Sequence, residues 1–87
     1  MKTYYLSPIN DNRKSYYNKA VVIESDNGEK VLKSYNTEVA KITPENEFIR
    51  LWSGYSATTM RHVNSFISLF NISGGGKAWW QSLPIGR

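Results

Sequence analysis

Few residues in this chain have both the type and the spacing that covalent chemistry needs. His62 is the sole histidine. General acid–base work requires a partner that orients the imidazole and tunes its pKa. The nearest carboxylate along the chain, Glu47, falls on a different predicted element. The expectation is a structural imidazole, hydrogen-bonded beneath the turn at 54–56. One histidine and no cysteine leave no metal-ligand set and no disulfide. Ser56, Thr58 and Thr59 place hydroxyls near His62, but a nucleophile needs an adjacent base and an oxyanion site. Ser56 is accounted for as a helix N-cap. Glu45 and Glu47 flank a predicted turn without a companion acid, which gives paired-carboxylate glycoside chemistry no support. Ser73-Gly74-Gly75-Gly76-Lys77 has Ala78 where a phosphate loop needs Ser or Thr, and a predicted helix precedes it where a strand is required. The glycines read as a flexible linker. The sequence therefore predicts a binding protein and no enzyme, with no cofactor and no metal.

Binding chemistry is better represented. Up to Glu47 seven basic and seven acidic residues cancel, whereas residues 48–87 contain no Asp or Glu and carry Arg50, Arg61, Lys77 and Arg87. A one-signed field attracts anionic partners. Trp79-Trp80 beside Lys77 combines large aromatic area with a cation. Adjacent residues diverge by about 100° on a helical turn, so one tryptophan is expected in the core and the other is free to stack on a base or anchor a partner. Arg50, Arg61, Lys77, Trp79 and Trp80 are the predicted partner-binding residues. The tail, residues 77–87, is expected to form part of the interaction surface on its three-glycine tether and to contribute less to the fold than the helix does. The competing expectation is that a tail tryptophan plugs one face of the sheet.

The elements that position these residues follow from the pattern. Residues 2–6 read as a short strand and 7–14, with Pro8, Asn10, Asp11 and Asn12, as a loop. Residues 16–24 (YYNKAVVIE) give the strongest strand signal. Asn27-Gly28 predicts a hairpin with positive φ at both central positions. Its return strand is 29–35, with Leu32 and Ser34 on one face. Asn36-Thr37 breaks the alternation and reads as a bulge before a strand at 38–42. Residues 43–46 turn the chain into 47–52 (EFIRLW), whose two apolar faces predict a central or doubly covered strand. A helix follows over 57–70, capped by Ser56. Met60, Val63, Phe66, Ile67, Leu69 and Phe70 lie on its apolar half, and Arg61, Asn64, Ser65 and Ser68 on the opposite face. Asn71 and the glycines stop it.

These elements sum to one α+β domain over residues 1–87: a β-meander at 1–52, a helix at 56–71, and a glycine linker and tail at 72–87. The predicted sheet is antiparallel, of four or five strands, with the helix packed on one face. Tyr35, Trp52, Tyr55, Ser56 and His62 are expected to form a structural motif that locks the last strand to the helix N-terminus. A chain of this size has a small core and a stability on the order of 5 kcal/mol. Six Tyr, three Trp and three Phe supply its packing. The first residues do not read as a signal peptide, and no apolar run approaches the roughly 18–20 residues that span a bilayer.

Two segments, Ser34-Tyr35-Asn36-Thr37-Glu38-Val39-Ala40-Lys41-Ile42 and Trp52-Ser53-Gly54-Tyr55-Ser56-Ala57-Thr58-Thr59-Met60-Arg61-His62-Val63-Asn64-Ser65-Phe66, carry a resemblance. Over roughly residues 15–70 the chain resembles a family of small uncharacterised proteins from phages and mobile elements of Gram-positive bacteria. Those proteins pair a SYxTxVA strand segment with a GYSxTTxxH helix start. The resemblance implies genomic company and the cytoplasm of a bacterial host cell, without implying a mechanism. Many small phage proteins act by occluding a host protein, anti-CRISPR proteins among them. The expected partner is thus a host protein or nucleoprotein complex, with no membrane involved. A direct DNA- or RNA-binding accessory role is the competing reading, and a homodimer through an exposed strand edge is the third.

Overall fold

Alternating and β-branched runs fold into five strands in a computed structural model that describes residues 1–9 and 11–86. They are β1 (Lys2–Tyr5), β2 (Ala20–Glu24), β3 (Lys30–Ser34), β4 (Thr37–Ile42) and β5 (Phe48–Arg50). Two helices follow, α1 (Ala57–Leu69) and the single-turn α2 (Lys77–Ser82). The strands lie side by side in chain order, every pair antiparallel. The fold is the expected α+β arrangement of an antiparallel sheet, one main helix and a tryptophan-bearing tail. No helix among the described residues is long and apolar enough to cross a membrane.

The period of two sorts each strand. Ala20, Val22, Leu32, Ala40 and Ile42 point to the inner face and are fully buried. Met60, Val63 and Phe66 of α1 meet them there. Ser56 caps α1 as its hydroxyl oxygen accepts from the Thr59 amide at 3.0 Å. Asn71, at φ 58°, turns the chain out of the helix. Two positions depart from the helical wheel. Leu69 is exposed, and Ser65, expected on the solvent face, is fully buried. The segment before β2 folds over that flank of α1, and Tyr16 brings its hydroxyl to 2.7 Å from Ser65 Oγ.

The connections differ from expectation in instructive ways. At the Asn27-Gly28 hairpin only Gly28 takes positive φ, at 97°. The Gly28 amide donates to Ser25 O at 3.0 Å and the Ser25 amide to Glu29 O at 2.8 Å, a three-residue loop closed by a glycine bulge. Thr43–Glu47 repeats the pattern, with Asn46 at φ 71°. The left-handed two-residue turn lies instead at Tyr35-Asn36, with φ of 50° and 67° between the paired residues Ser34 and Thr37. The bulge expected at Asn36-Thr37 is therefore a hairpin turn. The irregularity falls one step on, where Leu32 faces Ala40 but Lys33 faces Glu38, so Val39 is the extra residue. The strand expected at 16–24 starts only at Ala20, because Tyr17-Asn18 forms a second left-handed turn, with φ of 52° and 64°.

The last strand is corrected too. β5 is three residues long and lies at the edge of the sheet. Val39 O accepts from both the Leu51 and Trp52 amides, at 2.9 and 3.2 Å, which bends the chain out of the sheet after Arg50. Large residues on both faces of the segment are explained by the tail. Ile85 bridges Arg50 in parallel, and the Gly86 amide donates to Arg50 O at 2.8 Å. The tail is thus integral to the fold and not loosely tethered. A Cβ on Gly74 would sit 2.4 Å from the Trp79 ring, and Asn64 Oδ1 accepts from the Gly76 amide at 3.3 Å. The glycines form a close turn that brings Trp80, 1 % exposed, into the core.

Candidate functional site

Of the five residues expected to bind a partner, Arg50 and Trp80 are buried, Arg61 and Trp79 half-buried, and Lys77 exposed. Alternation along β5 turns Arg50 inward, where it is buried. Its guanidinium fans out to five carbonyls: Trp52, Ser53 and Gly54 ahead of α1, and Trp80 and Leu83 in the tail. The Trp80 ring stacks 4.7 Å from the guanidinium carbon, and Trp80 Nε1 donates to Gly54 O at 2.8 Å. Arg50 and Trp80 therefore form an internal clamp that joins β5, the α1 entry and the tail, and both are buried. Trp79 is half-buried against Phe48, 5.1 Å between centroids. Arg61 is paired with Asp11. Lys77 is exposed and lies 5.1 Å over the Tyr55 ring. The five do not make one patch.

The predicted structural motif also separates into two groups. Trp52 packs beneath Gly54, where a Cβ would come within 2.3 Å of its ring, and stands with Tyr55 and Ser56 at the entry to α1. His62 and Tyr35 lie at the Ser34 end of β3. His62 Nδ1 lies 2.8 Å from Ser34 Oγ, which in turn lies 3.1 Å from Thr59 Oγ1. Tyr16 meets the imidazole edge-on at 4.5 Å and Tyr35 leans on it at 5.8 Å. Burial, aided by the charge of Arg13, pushes the His62 pKa down to about 4. The imidazole is neutral near pH 7 and its environment is hydroxyl and aromatic. It lies over the end of β3, hydrogen-bonded to Ser34, and not beneath the 54–56 turn as expected.

A different surface forms around this cluster. The turns at Tyr17-Asn18 and Tyr35-Asn36 lie side by side, joined by the Tyr35 amide donating to Lys19 O at 2.9 Å. Two depressions meet there. One, of about 390 Å³, is lined by Asn18, Lys19, Lys33, Tyr35 and Asn36 with Val21 and Ile23 of the outer sheet face. The other, of about 140 Å³, is lined by Arg13, Tyr17, Lys19, Tyr35 and His62. Among the described residues neither lining contains an acid, and Arg13, Lys19 and Lys33 form no ion pair. Glu38, the ladder partner of Lys33, lines neither depression. Tyr17 is 73 % exposed and Tyr35 53 %.

Sequence reasoning passed over Arg13, Tyr17, Lys19 and Lys33, because charge balances over residues 1–47 when counted along the chain. The available signal was the dipeptide Tyr-Asn, present at both 17–18 and 35–36. Asp11 illustrates how the acids are withdrawn. Its carboxylate accepts from the Arg13 amide at 3.0 Å, from the Tyr16 hydroxyl at 2.9 Å and from Arg61, and these bonds, the Arg13 amide foremost, hold its pKa below the usual value.

No curated protein matches this sequence, and no solved structure does. The model of a family of unknown function, DUF8033, matches residues 4–82, from β1 through both tyrosine turns to the end of α2, and the chain belongs to that family.

Proposed function

We propose that this protein acts by binding and not by catalysis, and that its partner bears nucleic acid, as a host nucleoprotein complex occluded by a phage or mobile-element inhibitor would. One observation carries the reading: Arg13, Lys19 and Lys33 gather with exposed tyrosines around two acid-free depressions. Cations beside aromatic faces match phosphates beside bases. Arg13 and Lys19 face solvent, Lys33 is half-buried, and Asp11, close to Arg13 along the chain, is tied to Arg61. The non-catalytic part rests on His62, whose Nδ1 meets a serine hydroxyl and whose low pKa suits neither general base nor general acid work near neutral pH.

The test is oligonucleotide binding by the intact protein, followed by fluorescence anisotropy at rising salt. Affinity at about 50 mM salt, falling with a log–log slope of about 2 for three phosphate contacts, is expected. Failure to bind any DNA or RNA, single-stranded or duplex, at that salt would remove this reading. Such a failure would favour a partner made of protein alone, for which the exposed Tyr5, Tyr17 and Tyr35 are suitable anchors.

A further inference from the structure

The two tyrosine turns have a backbone that tyrosine disfavours. A left-handed residue with a Cβ costs roughly 1–2 kcal/mol relative to its right-handed form. Two-residue left-handed turns favour Asn-Gly, Asp-Gly or Gly-Gly. Here the first central position is tyrosine both times, at φ 52° and 50°, with asparagine second, at φ 64° and 67°. Packing explains only part of this. Tyr35 shields one side of His62, whereas Tyr17 is 73 % exposed. Strained positions that the core does not require point to a surface role. What the strain achieves is geometric. A tight turn projects each ring from the same end of the sheet, and the Tyr35–Lys19 bond fixes one turn against the other. The rings border the smaller depression together, and Lys19 and Tyr35 are shared with the larger one.

We propose that the paired Tyr-Asn turns form a single-stranded nucleic-acid site, in which Tyr17 and Tyr35 stack on unpaired bases while Arg13, Lys19 and Lys33 hold the intervening phosphates. This deepens the nucleic-acid reading above and rests on it. Unpaired bases offer π-faces that a duplex conceals within its own stack, so an aromatic platform selects the single strand. The cations alone would not, because both forms carry phosphate. Asn18 and Asn36 stand in the larger depression beside the rings, each with amide donors and an acceptor for base edges.

The experiment uses the intact protein and labelled oligothymidylate and oligouridylate of about a dozen nucleotides, each beside a duplex of equal length. The tighter of the two single strands identifies DNA or RNA as the source. The expected result is at least tenfold tighter binding of single strand than of duplex. Tyr17→Ala and Tyr35→Ala should each weaken single-strand binding by about 5- to 100-fold with little effect on duplex, and Tyr17→Trp should retain it. Lys33→Gln should lower the single-strand salt slope by about 0.7. Tyr17 is exposed, so its variants remain folded and readable even where a Tyr35 variant disturbs His62. Equal binding of single strand and duplex, or binding indifferent to Tyr17, would overturn the stacking site and leave a general phosphate-binding surface standing. Binding of neither form would overturn both.

Discussion

Acidification from about pH 7 to about pH 4.5 sets the buried His62 against the fold. In the unfolded chain its pKa is near 6.5; in the folded protein burial and Arg13 hold it near 4. Between these values the unfolded state binds the extra proton, so stability is complete above about pH 6.5 and is lost as the pH falls toward 4. At about 1.4 kcal/mol per pH unit, that interval corresponds to about 3 kcal/mol. This is a large share of the roughly 5 kcal/mol expected for a domain of this size. Asp11 adds to the loss only lower down, near and below its ordinary value of 3.8, because its folded pKa is depressed. The assay is urea unfolding at intervals from about pH 7.5 to 4.5, in which the midpoint should fall by roughly 2 M. His62→Gln keeps a hydrogen-bonding group near Ser34 but does not titrate, so its midpoint should be nearly flat over the same range, whatever its absolute value. A flat profile in the unaltered protein, an equal slope in the variant, or an imidazole titrating near 6.5 by NMR would refute the reasoning.

Three further outcomes follow from the packing. Arg50→Met should cost about 3–5 kcal/mol, measured by urea unfolding, because the guanidinium's carbonyl partners lose their donor. Arg50→Lys should cost less, since an ammonium has three donors and no planar fork. Truncation after Ser73 removes the buried Trp80 and the strand-like contact of Ile85 with Arg50. A lost Trp side chain alone costs about 3–5 kcal/mol, so the shortened chain should show no cooperative thermal transition; a melting point within a few degrees of the full protein would contradict the clamp. Tyr17→Gly should leave thermal stability unchanged or raised by up to about 1 kcal/mol, as relief of the left-handed strain outweighs the entropy of glycine. A loss above about 1 kcal/mol would mean that Tyr17 supports the fold.

The fold was largely legible in the sequence because its signals are local. The Ser56 cap, the apolar rows at Met60, Val63 and Phe66, and the alternation through Ala40 and Ile42 each depend on neighbours within one or two turns. Turn chemistry misled where glycine was taken as the guide. Asn27-Gly28 closes a three-residue loop, while the two-residue left-handed turn uses Tyr35-Asn36 with no glycine. The candidate site was less legible, because its geometry is non-local. Arg50 sits in a charge-biased stretch but is consumed by carbonyls of the adjoining 52–54 segment and of the distant tail. Arg13, Lys19 and Lys33 sit in a charge-balanced stretch and meet at one end of the sheet. Ser65 shows the same limit, since the return of Ile9 and Tyr16 across the helix supplies the partners that make its burial favourable.

The short parallel contact between Ile85 and Arg50 has a bearing on assembly. An open sheet ordinarily offers two rims of unsatisfied backbone, and molecules with two pairable rims can add to one another without end. Here one rim, β5, is only three residues long and its Arg50 carbonyl is already taken by Gly86. The other rim, β1, holds four residues, and among the described residues no strand lies beyond it. Of the two rims β1 is therefore the longer and the more open. Two copies joined β1 to β1 about a twofold axis would each use up that rim and leave the partly covered β5 rims outermost. The tail that seals the core thus also occupies part of the β5 rim and leaves β1 as the longer edge open to strand pairing.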